Sequence, residues 1–335
     1  MNRPGIVILT FMFLLTSCEK EKDFGKALYS GDEMISYLCW SEYGDKIFFA
    51  VESSNFRKTV YGVDVNSGDS WKVGDITSGY GSSIYEYQGR IYYFNDANYQ
   101  NVKLFSLDAS GGTPEMKIDS LESPLFSKRY VAFMKSYFLT DTILIKTVLY
   151  DLDNESERAI ESTVNLTPAA ISPDGTILLL RWVDYYNYML HLSMYNTETG
   201  EMTDLPSSQN LYYSTFFWKD NEAYAFGDYG TGMAIFNVSG GQKLAFPEPL
   251  SYANAYSVSP SGSILAYIVS EYPAIAEGWV GSHYYLHILK TGASQKIVID
   301  MEREPVTGNT LVFSPDETRI AYVRDNNDIY VLTIK

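Results

Sequence analysis

Hydrophobic and polar positions follow one pattern that recurs seven times along the chain. An apolar run enters a polar turn, and an aliphatic-aromatic run leaves it. The clearest copies are AISPDGTILLL (170–180), SVSPSGSILAY (257–267) and VFSPDETRIAY (312–322). Weaker copies are CWSEYGDKIFFA (39–50), IYEYQGRIYYF (84–94), LFSKRYVAFMK (125–135) and FFWKDNEAYAF (216–226). Ser41, Glu86, Ser127, Ser172, Trp218, Ser259 and Ser314 mark the register, at intervals of 45, 41, 45, 46, 41 and 55 residues. A repeat of that length, holding about four strands, predicts an all-β fold of the propeller type.

Each unit divides into strands A to D. In the fourth unit the pattern predicts 168–171, 176–182, 188–195 and 202–205. A–B turns such as Pro173-Asp174-Gly175, and C–D turns such as Glu198-Thr199-Gly200, carry hairpin residues that preset φ or accept a positive φ. The last unit offers only 310–313, 318–324 and 328–334 before the chain ends. A strand within 26–30, or a neighbour of it, is the candidate to complete that sheet from the N-terminus, closing the ring without an open edge. The expectation is a seven-bladed propeller of four-stranded antiparallel blades over residues 26–335. Six blades are the runner-up, because the third unit's turn, Ser127-Lys128-Arg129, is degenerate, and eight blades are a further alternative.

The phrase Ser-Pro-Asp-Gly followed by an aliphatic-aromatic strand resembles the repeat of TolB-type and dipeptidyl-peptidase-type propellers. The Gly-His and Trp-Asp marks of WD repeats are missing. This resemblance is one of fold, and many functions sit on such a fold.

Arg3 and the ten-residue apolar stretch 6–15 read as a signal peptide, too short to span a bilayer. Leu15-Thr16-Ser17-Cys18 resembles the bacterial lipobox. That resemblance implies cleavage after residue 17, Cys18 as the lipid-bearing first mature residue, and multiple acyl chains for stable anchoring. An ordinary secretory signal is the other reading. Residues 18–25 form a charged tether. Its run Glu19-Lys20-Glu21-Lys22-Asp23 also resembles signals that route lipoproteins of Gram-negative bacteria to the outer face of the outer membrane. The expected location is the outer membrane, on the periplasmic side or the cell surface, with the membrane as a partner through the lipid.

The chain holds 25 Lys and Arg against 41 Asp and Glu, a net charge of −16. Cleavage would remove one basic residue, Arg3, and no acid, taking this by one to −17. So acidic a surface does not bind nucleic acid by neutralising phosphates. Beyond Cys18 only Cys39 is left, in an apolar run, as a buried small hydrophobe without a disulfide partner in the mature chain.

No Gly-x-Ser-x-Gly elbow occurs, which removes the peptidase reading. His283 and His287 fall in a strand pattern, where positions four apart sit about 13 Å apart, so no metal pair is expected. Acidic clusters at 151–155 and 325–328 do not fit a calcium loop, and no Gly-rich phosphate cradle follows a strand. No cofactor, metal or catalytic residue is assigned.

The B–C loops, unlike the C–D turns, carry aromatics: Phe56, Tyr99, Tyr137 with Phe138, Tyr185 and Tyr186 with Tyr188, Tyr229, and Tyr272 with Trp279. The last two lie on an insertion of about ten residues that explains the 55-residue interval. Aromatic side chains on loops suit recognition, and strand ends folded over the seams between blades are the other reading. The function expected is a non-catalytic envelope lipoprotein that binds a protein partner or a glycan. A polysaccharide-active hydrolase or lyase is the alternative. Asp119-Ser120-Leu121 and Asp141-Thr142-Ile143 also resemble an O-glycosylation acceptor used by some bacteria, with Ser120 and Thr142 as the acceptors.

Overall fold

The computed structural model describes residues 27–53, 58–76, 83–95, 102–127, 129–138, 143–172, 174–187, 189–205, 215–219, 222–228, 233–238, 243–244, 253–271, 283–290, 296–301, 311–324 and 326–334. Every regular element among them is a strand, 27 in all, and every pairing is antiparallel. After β1 (Tyr29–Ser30) comes a four-stranded sheet of β2 (Met34–Trp40), β3 (Lys46–Glu52), β4 (Lys58–Asp64) and β5 (Ser70–Ile76). The next sheet has seven strands: β6 (Ile84–Tyr87), β7 (Arg90–Asn95), β8 (Val102–Asp108), β9 (Glu115–Ser127), β10 (Tyr130–Phe138), β11 (Ile143–Asp151) and β12 (Ser156–Ile160). Two further sheets follow: β13 (Thr167–Ile171), β14 (Ile177–Asp184), β15 (Met189–Asn196) and β16 (Met202–Asp204), then β17 (Thr215–Lys219), β18 (Glu222–Asp228), β19 (Met233–Asn237) and β20 (Lys243–Leu244). The sixth unit is β21 (Ala253–Val258), β22 (Ile264–Glu271), β23 (His283–Lys290) and β24 (Lys296–Met301). In the last sheet, β25 (Leu311–Phe313), β26 (Arg319–Arg324) and β27 (Asp328–Thr333) are joined by β1, with Tyr29 opposite Ile329 and Ser30 opposite Asp328.

The strand boundaries read from the fourth and last units agree with the sheets to within one or two residues. The second and third units differ from expectation, because they share β9. Residues up to Leu121 pair with β8 and residues from Glu122 pair with β10. Ser120 and Ser123 take positive φ at 61° and 50°. These two kinks re-aim one strand from the outer edge of one unit to the inner edge of the next, so the two expected four-stranded units share a strand.

The register serine is a buried turn anchor. Ser172 N–H donates to Ile177 O at 2.8 Å, and its Oγ accepts from Ile177 N–H at 2.9 Å while donating to Asp174 at 2.6 Å. Ser41 and Ser314 repeat all of these bonds, and Ser259 repeats the two to its own strand. The residue closing each turn is left-handed: Gly44, Gly175 and Gly262 at φ 69–76°, but Glu317 at 58°. Glu317 tolerates this unfavourable backbone while its carboxylate accepts from Ser261 Oγ at 2.7 Å, joining the sixth and seventh units.

Apolar clusters fill six of the seams between successive units. Trp40, Phe49 and Ile35 meet Val323 and Ile329; Phe48 and Val60 meet Tyr93 and Leu107; Leu179 and Leu192 meet Phe216 and Trp218. Other seams join the second unit to the third, the third to the fourth and the sixth to the seventh. The innermost strands of neighbouring sheets pack side by side, β2 against both β6 and β25. This is the architecture of a β-propeller.

Candidate functional site

The inner strands surround one cavity of about 700 Å³. All seven contribute to its wall: β2, β6, β9, β13, β17, β21 and β25. The wall uses the C-terminal parts of these strands together with Glu42, Pro260 and Pro315 from the A–B turns, so the cavity lies toward the A–B end of the molecule. Tyr85 and Phe126 stack with centroids 5.0 Å apart and planes within 10°. Trp40 donates its indole N–H to Val312 O at 3.0 Å across the seam between first and seventh units. Trp218, in the fifth unit, has a buried indole N–H with no acceptor among the described residues.

Two carboxylates lie on this wall and, among the described residues, no lysine or arginine does. Glu42 is exposed, whereas Glu86 is 8% exposed and already engaged. Glu86 Oε2 accepts from Glu42 N–H and Oε1 from Gly89 N–H, each at 2.7 Å. Burial, reinforced by the neighbouring Glu86 charge, pushes the Cys39 thiol far above its ordinary range, so Cys39 is an inert wall residue. Tyr87 is raised to about 12, first by burial and then by its hydrogen bond to Asp153.

The sequence placed recognition at the other end. Tyr185 and Tyr186 sit on the β14–β15 turn and are 72% and 97% exposed. Asp184 builds that turn, accepting from Tyr186 N–H at 2.9 Å and Asn187 Nδ2 at 2.7 Å. These bonds, led by the one from Asn187, hold its carboxyl below the usual range. Beneath the turn, Trp182 and His191 stack with centroids 4.0 Å apart and planes within 5°. The eight residues of β14 span about 23 Å at 3.3 Å per residue, which separates this turn from the A–B end.

Tyr137 and Phe138 are a correction. They end strand β10, paired with Leu144 and Ile143, instead of standing on a loop, and Tyr137 is half-buried. The strand continues because Phe138 still finds a cross-strand partner in β11. Cys18, Phe56, Tyr99, Thr142, Tyr188, Tyr229, Tyr272 and Trp279 lie outside the described residues. Ser120 occupies the kink of β9, half-buried beside exposed Asp119. His283 and His287 lie on β23 opposite Glu271 and Tyr267, and no group of metal-ligating side chains occurs among the described residues. The cavity wall went unread in the sequence. Its signal was the register itself, where Glu86 and Trp218 replace serine.

No protein-family model matches the chain, and no curated protein does. Solved structures do. A puromycin hydrolase superposes with a TM-score of 0.58 at 14% identity, over 91% of this chain and 53% of the other, so the chain spans about half of that protein. Hydrazine synthase of Kuenenia stuttgartiensis gives 0.53 at 12% identity, covering 91% and 97%. TolB from Acinetobacter baumannii gives 0.49 at 16%, covering 88% and 75%, a likeness too low to bear on the fold. At such identities the likeness is one of architecture alone.

Proposed function

We propose that this chain is an outer-membrane lipoprotein, anchored through Cys18 and facing the periplasm or the cell surface, that holds a protein or glycan partner without transforming it. Its repeats form a closed ring of seven blades, with β1 completing the last. Three lines support the ring: seven inner strands share one cavity, apolar clusters cross six seams including the one from seventh to first, and β1 pairs with β27. The lipobox-like sequence ending at Cys18, after a short apolar stretch, supports the envelope setting.

The observation that carries the binding reading is the exposed pair Tyr185 and Tyr186 on a braced turn. Large aromatic rings offer contact area at low entropic cost, and a rigid base fixes their direction. The test compares full-length protein, in detergent, with its Tyr185→Ala/Tyr186→Ala variant, on glycan arrays and in envelope-extract capture. Binding should fall at least tenfold, as for a pair of aromatic hot spots. Unchanged binding overturns the reading, and so does glycan turnover abolished by a single carboxylate substitution.

A further inference from the structure

The cavity plays no part in the recognition assigned to the tyrosine turn, and one of its wall residues breaks the repeat. Four of the seven A–B turns use the register serine to satisfy their own backbone. Trp218 stands at that register position in the fifth unit, only 4% exposed, and its indole N–H has no acceptor among the described residues. The comparable wall indole, Trp40, is satisfied by Val312 O. Folded proteins pair almost all buried donors, so an orphan beside a cavity points to a partner that arrives from outside.

The rest of the wall limits what that partner can be. Glu42 and Glu86, with no lysine or arginine among the described wall residues, repel anions, and Glu86 is buried with each oxygen already accepting from a backbone N–H. Glu42, exposed where Glu86 is buried, is the carboxylate more open to a ligand's donor. The stacked rings of Tyr85 and Phe126 are half-buried and favour an apolar face. A volume of about 700 Å³ lies in the range of small-molecule sites and far above that of a single water. A sugar ring combines the needed features: C–H faces for the aromatic wall, and hydroxyls that both accept and donate. We infer that the axial cavity is a binding site for a neutral saccharide of one or two rings, with an oxygen accepting from Trp218 and a hydroxyl donating to Glu42. The indole N–H is buried, so a ligand oxygen reaches it only with a local rearrangement at Trp218 that changes the tryptophan emission.

The site lies at the opposite end from the tyrosine turn and does not depend on it. The test uses the full chain in a detergent without sugar groups. Saturation-transfer NMR is run with glucose, galactose, N-acetylglucosamine, maltose and cellobiose, and with the dipeptide Lys-Lys as a cationic probe. At least one sugar should receive saturation and shift the tryptophan emission. The saturation signal should weaken at least tenfold in Trp218→Phe, and both signals should do so in Glu42→Gln, an exposed residue whose change leaves melting unaltered. Tyr185→Ala/Tyr186→Ala should bind the sugar as the parent does. The inference falls if no sugar receives saturation, if neither cavity variant weakens it, if the tyrosine variant abolishes it, or if Lys-Lys binds in its place.

Discussion

Glu86 is the one register residue whose carboxylate ties two units together, which makes Glu86→Gln an informative perturbation. In the parent, Oε2 accepts from Glu42 N–H across the seam and Oε1 from Gly89 N–H within the turn, both at 2.7 Å. Glutamine fits the same space but keeps a single acceptor oxygen. Its amide N–H₂ must then face one of the two backbone donors, so one bond is lost and a part-buried N–H goes unmet. A hydrogen bond to a charged acceptor contributes about 1.5–3 kcal/mol, and an unmet buried donor costs about 1–3 kcal/mol. Because the two figures describe the same loss and the cavity admits some water, the net cost is about 2 kcal/mol. For a domain of roughly 300 residues, at about 2.1 cal/mol/K per residue, that lowers the melting temperature by about 3 °C. Differential scanning fluorimetry on the full chain measures it. A melting point within half a degree of the parent would refute the assignment of Glu86 as a seam tie.

Gly62→Ala should cost about 1–3 kcal/mol by overpacking, because its Cβ would clash with the Trp71 ring and lever off the indole whose Nε1 donates to Ala109 O; tryptophan emission and melting report it, and an unchanged indole signal contradicts it. Glu317→Gly relieves a left-handed glutamate at φ 58°, yet should not stabilise, since the bond to Ser261 is lost; a raised melting temperature would show that the tie between units is worthless. Asp45, Asp174 and Asp316 are held below their usual range, chiefly by the hydroxyls of Ser41, Ser172 and Ser314. Folded carboxyls below their unfolded values add stability above about pH 4 that fades as pH falls through the folded values. Melting should therefore drop in acid, and less so for Asp174→Asn/Asp316→Asn; identical acid slopes contradict this. Fatty-acid labelling should vanish in Cys18→Ser, and labelling that persists removes the lipid anchor.

The architecture was legible because its determinants are local. Register serines, Pro-Asp-Gly turns and two-residue alternation fix each hairpin within one repeat. Hence strands of the fourth and last units were read to within a residue or two. The sharing of β9 was not legible, because nothing in Ser120 or Ser123 announces a positive φ in the way a glycine would. The candidate site divides along the same line. Tyr185 and Tyr186 follow an Asp-initiated turn and stand exposed, a local outcome. Tyr137 looked the same but was drawn into a strand by its cross-strand partner Leu144, a tertiary effect. The cavity is wholly non-local, since residues from seven repeats meet only when the sheets come together. Trp218 in a serine position was visible beforehand, but its unmet N–H was not.

The binding reading is tested most directly by photocrosslinking in living cells, with p-benzoylphenylalanine replacing Tyr186 or, as the control, Tyr43. Tyr43 is 86% exposed, comparable with Tyr186, but stands on an A–B turn at the opposite end of the sheets. Illumination should trap a protein or glycan adduct from position 186 and none from position 43. An adduct from position 43 alone, or none from either, would contradict recognition through the tyrosine turn.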